Sequence, residues 1–242
     1  MKRKSMTLAA LLAASLHADI VGGEVSMGYL NLKPSGDFAY KGNSADVEDS
    51  FGWDGENSVI LKGYLEHPVP VLPNIRVVYN SLSYSGKGSV SNLRFGDKTF
   101  SGPIATKLDA DIVDGTLYYE ILDNWISFDL GLNAKYIDAT TEVKSDALGN
   151  SKADFSVVLP TLYAKARFDI PTTDISFQAE GDIITYSSNT LYDLSLSARY
   201  IFFMGLGVEA GMKLIKFKLD DVDDVTADID FSGIYASLVW DF

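Results

Sequence analysis

Apolar and polar residues alternate with a period of two over most of this chain. Across residues 125–138, Ile126, Phe128, Leu130, Leu132, Ala134 and Tyr136 take every second place. Ser127, Asp129, Gly131, Asn133 and Lys135 fill the places between. A helix would set Asp129 and Lys135 among the apolar side chains, whereas a strand points successive side chains to opposite faces and separates the two sets. Leu162, Ala164, Ala166 and Phe168 oppose Tyr163, Lys165, Arg167 and Asp169 in the same way, and residues 175–183, 192–202 and 206–214 repeat the pattern. Further strands fit 21–32, 58–67, 74–84, 107–121 and 229–242. The expected total is ten strands, with little helical periodicity left over.

The connections between these segments alternate in length. Short turns fit 67–73, 122–124, 169–174 and 203–205, and longer loops fit 33–57, 85–106, 139–152 and 220–228, with 187–190 a short exception. The segment 85–106 leaves room for a further hairpin around 93–95 and 99–101, while Gly86-Lys87-Gly88 within it reads as turn chemistry. Short turns at one end and longer loops at the other, on an even number of strands, are the layout of a transmembrane β-barrel with periplasmic turns and extracellular loops.

Alternation alone does not say which face is outside, because a soluble lipocalin-like barrel has the same period with its apolar face inward. Three features favour lipid outside. The segments meet the roughly 9–11 residues that cross a bilayer at the usual tilt. The polar face carries Arg76, Asp129, Lys135, Lys165, Arg167, Glu180, Asp182, Arg199, Glu209 and Lys213, charges of both signs that suit pairing in a narrow lumen. Tyr119, Trp125, Phe168, Phe177, Tyr200, Phe202 and Trp240 gather near the short-turn end, where aromatic rings make an interfacial girdle. The expectation is an all-β protein, a single antiparallel transmembrane barrel of ten strands, with apolar side chains on lipid and a polar lumen.

The ends of the chain carry their own signals. Lys2, Arg3 and Lys4 precede a short apolar run from Leu8 to Ala14, and Ala18 offers a small residue for cleavage before Asp19. That is the layout of a secretory signal peptide over residues 1–18, leaving 19–242 as the barrel domain. Its removal takes three basic residues and moves the net charge from −13 to −16. Such an acidic chain argues against a nucleic-acid partner. At the other end, Ile234, Ala236, Leu238, Trp240 and Phe242 alternate up to the terminal residue. A last strand closing on Trp240 and Phe242 resembles the signal that the outer-membrane assembly machinery reads.

Two stretches resemble a known family. One is Glu66-His67-Pro68-Val69-Pro70-Val71-Leu72-Pro73-Asn74; the other is Leu117-Tyr118-Tyr119-Glu120-Ile121-Leu122-Asp123-Asn124-Trp125, followed by Asp129-Leu130-Gly131. Together they resemble small proteobacterial outer-membrane β-barrel proteins of unassigned function. The resemblance implies a Gram-negative outer membrane, with lipid, lipopolysaccharide, periplasmic chaperones and the barrel-assembly machinery as partners, and implies no catalytic residues. Independently of it, Pro68, Pro70 and Pro73 fix three φ angles and withhold three donors beside His67, ending a strand ladder sharply.

Candidate chemistry is sparse. The chain has no Cys and two His, of which His17 lies in the expected signal peptide and His67 in the proline turn. Nucleophilic or His-assisted catalysis lacks its parts, and the adjacent lumen carboxylates Glu180 and Asp182 fit charge pairing with Arg167 or Arg199 better than acid–base work. Asp46, Glu48, Asp49, Asp54 and Glu56 crowd one loop and Asp220, Asp221, Asp223 and Asp224 another, without the Gly and closing Glu of an EF-hand. They read as solvated loops, so no metal or cofactor is expected. The functional expectation is a narrow porin-like or small-solute conduit with a charge-paired lumen. The alternative is a structural or adhesin-like barrel acting through its acidic outer loops.

Overall fold

The computed structural model describes residues 22–69 and 71–242. The expected cleavage site at Ala18 and Asp19 lies outside the described residues, as does Pro70. The strands are β1 (Gly22–Tyr40), β2 (Ala45–Asp46), β3 (Glu56–Glu66), β4 (Asn74–Phe95), β5 (Lys98–Asp123), β6 (Ile126–Ser145), β7 (Gly149–Asp169), β8 (Ile175–Tyr186), β9 (Asn189–Phe203), β10 (Leu206–Val222) and β11 (Val225–Asp241). All pair antiparallel with their neighbours, and β11 returns to β1 from Glu24 opposite Asp241 to Tyr40 opposite Val225. Because β2 is only a two-residue bridge onto Asp37 and Phe38, the closed ring has ten strands.

The strands are longer than the alternation foretold. Segments 85–106, 139–152 and 220–228 are strand for most of their length rather than long loops. β4 and β5 turn at Gly96 and Asp97, β6 and β7 at residues 146–148, and β10 and β11 at Asp223 and Asp224. The expected hairpin inside 85–106 is present, with Leu93 opposite Phe100, but it is the continuous tip of β4 and β5. Gly86-Lys87-Gly88 accordingly runs in β4 and makes no turn. Only 41–55 remains a long connection.

The reason is visible in the burial pattern. Along the short-turn half, the exterior is apolar and the interior polar: Leu130, Leu132 and Tyr136 of β6 are exposed, and Asp129, Asn133 and Lys135 are buried. One step beyond Tyr136 the apolar parity reverses, and Ile137 and Val143 point inward while Asp138 is exposed. On β5, Val113, Leu117 and Tyr119 face outward, whereas Ile112, Ala110 and Leu108 face inward between Asp111 and Asp109. Val113 pairs with Tyr136 and Ile112 with Ile137, so both strands switch at one height. The ten steps from Ile126 to Tyr136, at about 3.4 Å each and a tilt of about 40°, give an apolar band roughly 26 Å tall, close to the about 25 Å band of such barrels.

Tyr119, Trp125, Phe168, Phe177, Tyr200, Phe202 and Trp240 are all exposed near the short-turn edge of that band. There β9 and β10 join through Met204 and Gly205, whose φ values of 47° and 78° suit a tight hairpin turn. Phe242 extends the closing seam, its N–H donating to the Gly23 carbonyl and its own carbonyl accepting from Gly23 N–H, each at 2.8 Å.

Candidate functional site

Charged side chains converge in the lumen, and parity puts them there: the inward positions of the short-turn half are mostly polar or aromatic, with Val78 and Val239 as aliphatic exceptions. Nine of the ten sequence-predicted lumen charges are buried in it; Arg167 instead sits half-buried at the rim, its Nε 2.8 Å from Asp169. Glu24, Lys62, Asp114 and Asp193 join the buried set. Their inward parity is readable from Ser26, Ser58, Thr116 and Ser195; the strand of Asp193 alternates cleanly, and those of Glu24, Lys62 and Asp114 are less clearly bounded in sequence.

These charges form two linked knots. In the first, Arg76 contacts Glu180, Lys62 lies 3.6 Å from both Glu180 and Glu209, and Arg199 reaches Glu209 at 2.6 Å and Glu24 at 2.8 Å. Tyr64 donates its hydroxyl to Glu180 at 2.9 Å, and Tyr235 donates to Glu209. The Arg76 guanidinium also lies 4.8 Å from the Tyr163 ring centroid, and the Lys165 ammonium lies 4.6 Å from that of Tyr64. In the second knot, Lys135 sits among Asp114 at 2.6 Å and Asp182 and Asp193 at 3.4 Å, and Lys213 contacts Asp193. The three carboxylates lie within 4.8 Å of one another, a grouping that suits a cation, and the Lys135 ammonium occupies it. A chain of bonds joins the knots: Arg76 donates to Thr116 at 3.1 Å, Thr116 to Asn133 at 2.9 Å, and Asn133 to Asp114 at 2.8 Å.

Pairs such as Arg76–Glu180 and Lys62–Glu209 join strands that are not sheet neighbours, so the network crosses the barrel rather than following its wall. Charges removed from water this completely persist only when paired and hydrogen-bonded. The short-turn half of the lumen is therefore filled by its own side chains.

The far half is different in kind. Contrary to a polar lumen throughout, its inward residues form an apolar cluster that includes Leu30, Leu82, Tyr84, Ile112, Ile137, Ile215 and Phe231. A cavity of about 80 Å³ lies within it. The connection 41–55 folds over this end and buries Val47, Phe51 and Trp53. Trp53 donates its indole N–H to Thr106 at 2.9 Å, and Thr106 donates to the Phe51 carbonyl at 2.7 Å. Gly88 permits the approach, for a Cβ there would stand 1.8 Å from the Ser50 carbonyl oxygen. Asp46 accepts the N–H groups of Glu48 and Asp49, and Lys33, 2.7 Å from Glu48, is held above its ordinary pKa by that carboxylate. Asn80 stands where the charged and apolar halves meet, fully buried, with no hydrogen-bond partner for its amide.

The proline turn is a strand terminator. His67 accepts the Val69 N–H at Nδ1 and lies 3.1 Å from the Pro73 carbonyl through Nε2, contacts that suit a neutral ring with its proton on Nε2. Tyr119 donates to the Val71 carbonyl at 2.7 Å, tying the turn to β5.

No known family description and no curated protein matches the chain. Solved structures match its fold. The outer-membrane protease OmpT of Escherichia coli aligns over 93% of this chain and 97% of its own, with a TM-score of 0.53 and 13% identity. Ail of Yersinia pestis aligns over 91% and 99%, with a TM-score of 0.38 and 12% identity. The translocator domain of the autotransporter NalP of Neisseria meningitidis aligns over 99% and 96%, with a TM-score of 0.36 and 14% identity. At these identities the likeness to OmpT shows the fold alone: the chain has the fold of the outer-membrane β-barrels.

Proposed function

We propose that the chain is exported by a signal peptide over residues 1–18 and inserts with its short turns in the periplasm. In this reading its lumen is held shut by ion pairs, and it acts at the cell surface as a structural or surface-interaction barrel. The observation that supports it is the network crossing the periplasmic half, where Arg76, Lys62, Lys135 and their carboxylates are all buried. Its outer rim, with Lys33, Glu48 and the acidic turn at Asp220–Asp224, is left to meet lipopolysaccharide or other surface partners. Trp240 and Phe242 supply the assembly signal. Catalysis is not part of this reading, since His67 is committed to its own turn.

A narrow small-solute conduit is the second reading, because the plug of the short-turn half consists of side chains alone. Planar-bilayer recording of the refolded protein separates the two. Silence is expected from the natural protein; steady nanosiemens conductance would sink the closed reading in favour of the conduit.

A further inference from the structure

The apolar chamber of the outer half has a chemistry that neither reading uses. Phe38, Leu82, Ile137, Phe155, Phe217 and Phe231 are among its walls, and Thr141 is the only polar residue lining it. A cavity with such walls stays dry and admits apolar guests, whereas a polar solute would lose its hydration without compensation. The charged plug closes the floor. The 41–55 connection packs behind its walls, with Phe51 6.4 Å from Phe38 and Trp53 stacked at 6.4 Å on Tyr84, which in turn lies 5.5 Å from Phe231.

One side is open in the sheet. The β7–β8 ladder runs from Asp169 opposite Ser176 to Leu162 opposite Ile183 and stops there. β7 continues to Gly149 paired only with β6, and β8 continues to Tyr186 paired only with β9. Pro160 stands two residues beyond the last pair, and it has no N–H to offer a neighbouring strand. Val158, Leu162, Ile183 and Tyr186 flank the break on its exposed side. Val158 pairs with Tyr136, the last residue of the apolar band, so the break opens at the top of the bilayer. On the inward side of the same strand Leu159, Val157 and Phe155 pack against the chamber cluster, and Phe155 lines the cavity. Thr161 and Thr185 are the polar residues beside the break, and from there Leu159, Val157 and Phe155 lead toward the chamber. Unpaired backbone at lipid depth is costly, so a continuous ladder would have been the more stable wall.

We propose that this chamber takes the end of a linear hydrocarbon chain, which enters sideways through the break between β7 and β8. The proposal rests on the orientation given above only in naming the outer leaflet as the side of entry. A folded peptide is too large for a space of about 80 Å³, and an ion has no ligand there. A slender, flexible chain fits both the break and the cavity. Its source is either an acyl chain of a membrane lipid or a free fatty acid.

The three tryptophans make the test direct. Trp125 and Trp240 lie on the lipid-facing girdle, while Trp53 is buried in the apolar cluster, one ring removed from the chamber wall at Phe231. In the Trp125→Phe, Trp240→Phe protein, fluorescence reports on Trp53 alone. The first arm titrates 9,10-dibromostearic acid into this protein in unbrominated micelles. Saturable quenching that unlabelled stearic acid reverses is expected if free fatty acid enters. The second arm reconstitutes the protein into phosphatidylcholine vesicles with brominated acyl chains, where quenching without added fatty acid identifies lipid chains as the guest. Filling the chamber by Ala110→Phe with Ala227→Phe should abolish the quenching in either arm. The stearic-acid competition needs no filled variant and stands if that variant does not fold. Absence of quenching in both arms, or quenching that neither saturates nor responds to competitor and filled variant, overturns the proposal. Because the readout is fluorescence rather than conductance, its failure is distinguishable from failure of the closed-lumen reading.

Discussion

Lys135 is the pin whose removal tests the filled lumen most directly. Its ammonium is fully buried and answers Asp114, Asp182 and Asp193 at once, with Lys213 as the only other cation touching that group. Lys135→Met keeps nearly the same side-chain volume and removes only the charge. At the 4.8 Å limit of their separation, two carboxylates repel by about 3.5 kcal/mol at an effective dielectric of about 20. Three such pairs would remain with Lys213 as sole counter-charge. Breaking a buried ion pair from one side typically costs about 3–5 kcal/mol, and we expect a loss of this size in unfolding free energy. Urea unfolding of protein refolded into vesicles, followed by tryptophan fluorescence, gives the number. Adding Asp182→Asn to the variant should recover part of the loss, because it removes two of the three repulsive pairs. A shift below about 1 kcal/mol, the size of an exposed pair, would show that water already solvates these carboxylates. The filled lumen would then be refuted, and the closed-barrel reading with it.

Other elements give sharper local outcomes. Deleting Phe242 removes both hydrogen bonds to Gly23 at the closing seam, and folded, heat-modifiable protein in the outer membrane is expected to fall; unchanged levels in cells would refute both the seam and the assembly-signal roles. Gly88→Val places a side chain against the Ser50 carbonyl, so the 41–55 connection should lift and Trp53 emission should shift to the red with increased iodide quenching. No spectral change in the Trp125→Phe, Trp240→Phe background would mean that the cap does not depend on that approach.

The short-turn half was legible residue by residue because lipid imposes one rule on it: every outward side chain must be apolar, so every inward one is free to be charged. That rule located Asp129, Lys135, Glu180 and Arg199 without any knowledge of partners. It gave less help at Glu24 and Asp114, whose strands lack a long run of clean alternation. Which acid meets which base was not readable, since Arg76 and Glu180 are brought together by curvature across the lumen rather than by register. The outer segments were misread for a physical reason as well. Ser85 to Val90 is rich in Gly, Ser and Lys because water lies outside it, and a strand bathed in water loses the outward apolar set by which it is recognised.

The signal that does survive is a change of phase. Tyr136 is the last apolar residue facing out on β6 and Ile137 the first facing in, and their partners Val113 and Ile112 switch at the same level on β5. On β11, Ile234 faces out and Phe231 in. A period of two that skips one place is a poor strand by any averaging window, yet it is what a single strand must show when it leaves lipid for water while its barrel stays closed. Below the switch the barrel is a membrane protein with charges inside; above it the same strands form a soluble barrel with an apolar interior. The choice between a lipocalin-like barrel and a membrane barrel therefore has two answers, one for each half. A hydrocarbon chain has reason to be drawn to the junction, because that is the one height at which the apolar exterior and the apolar interior adjoin.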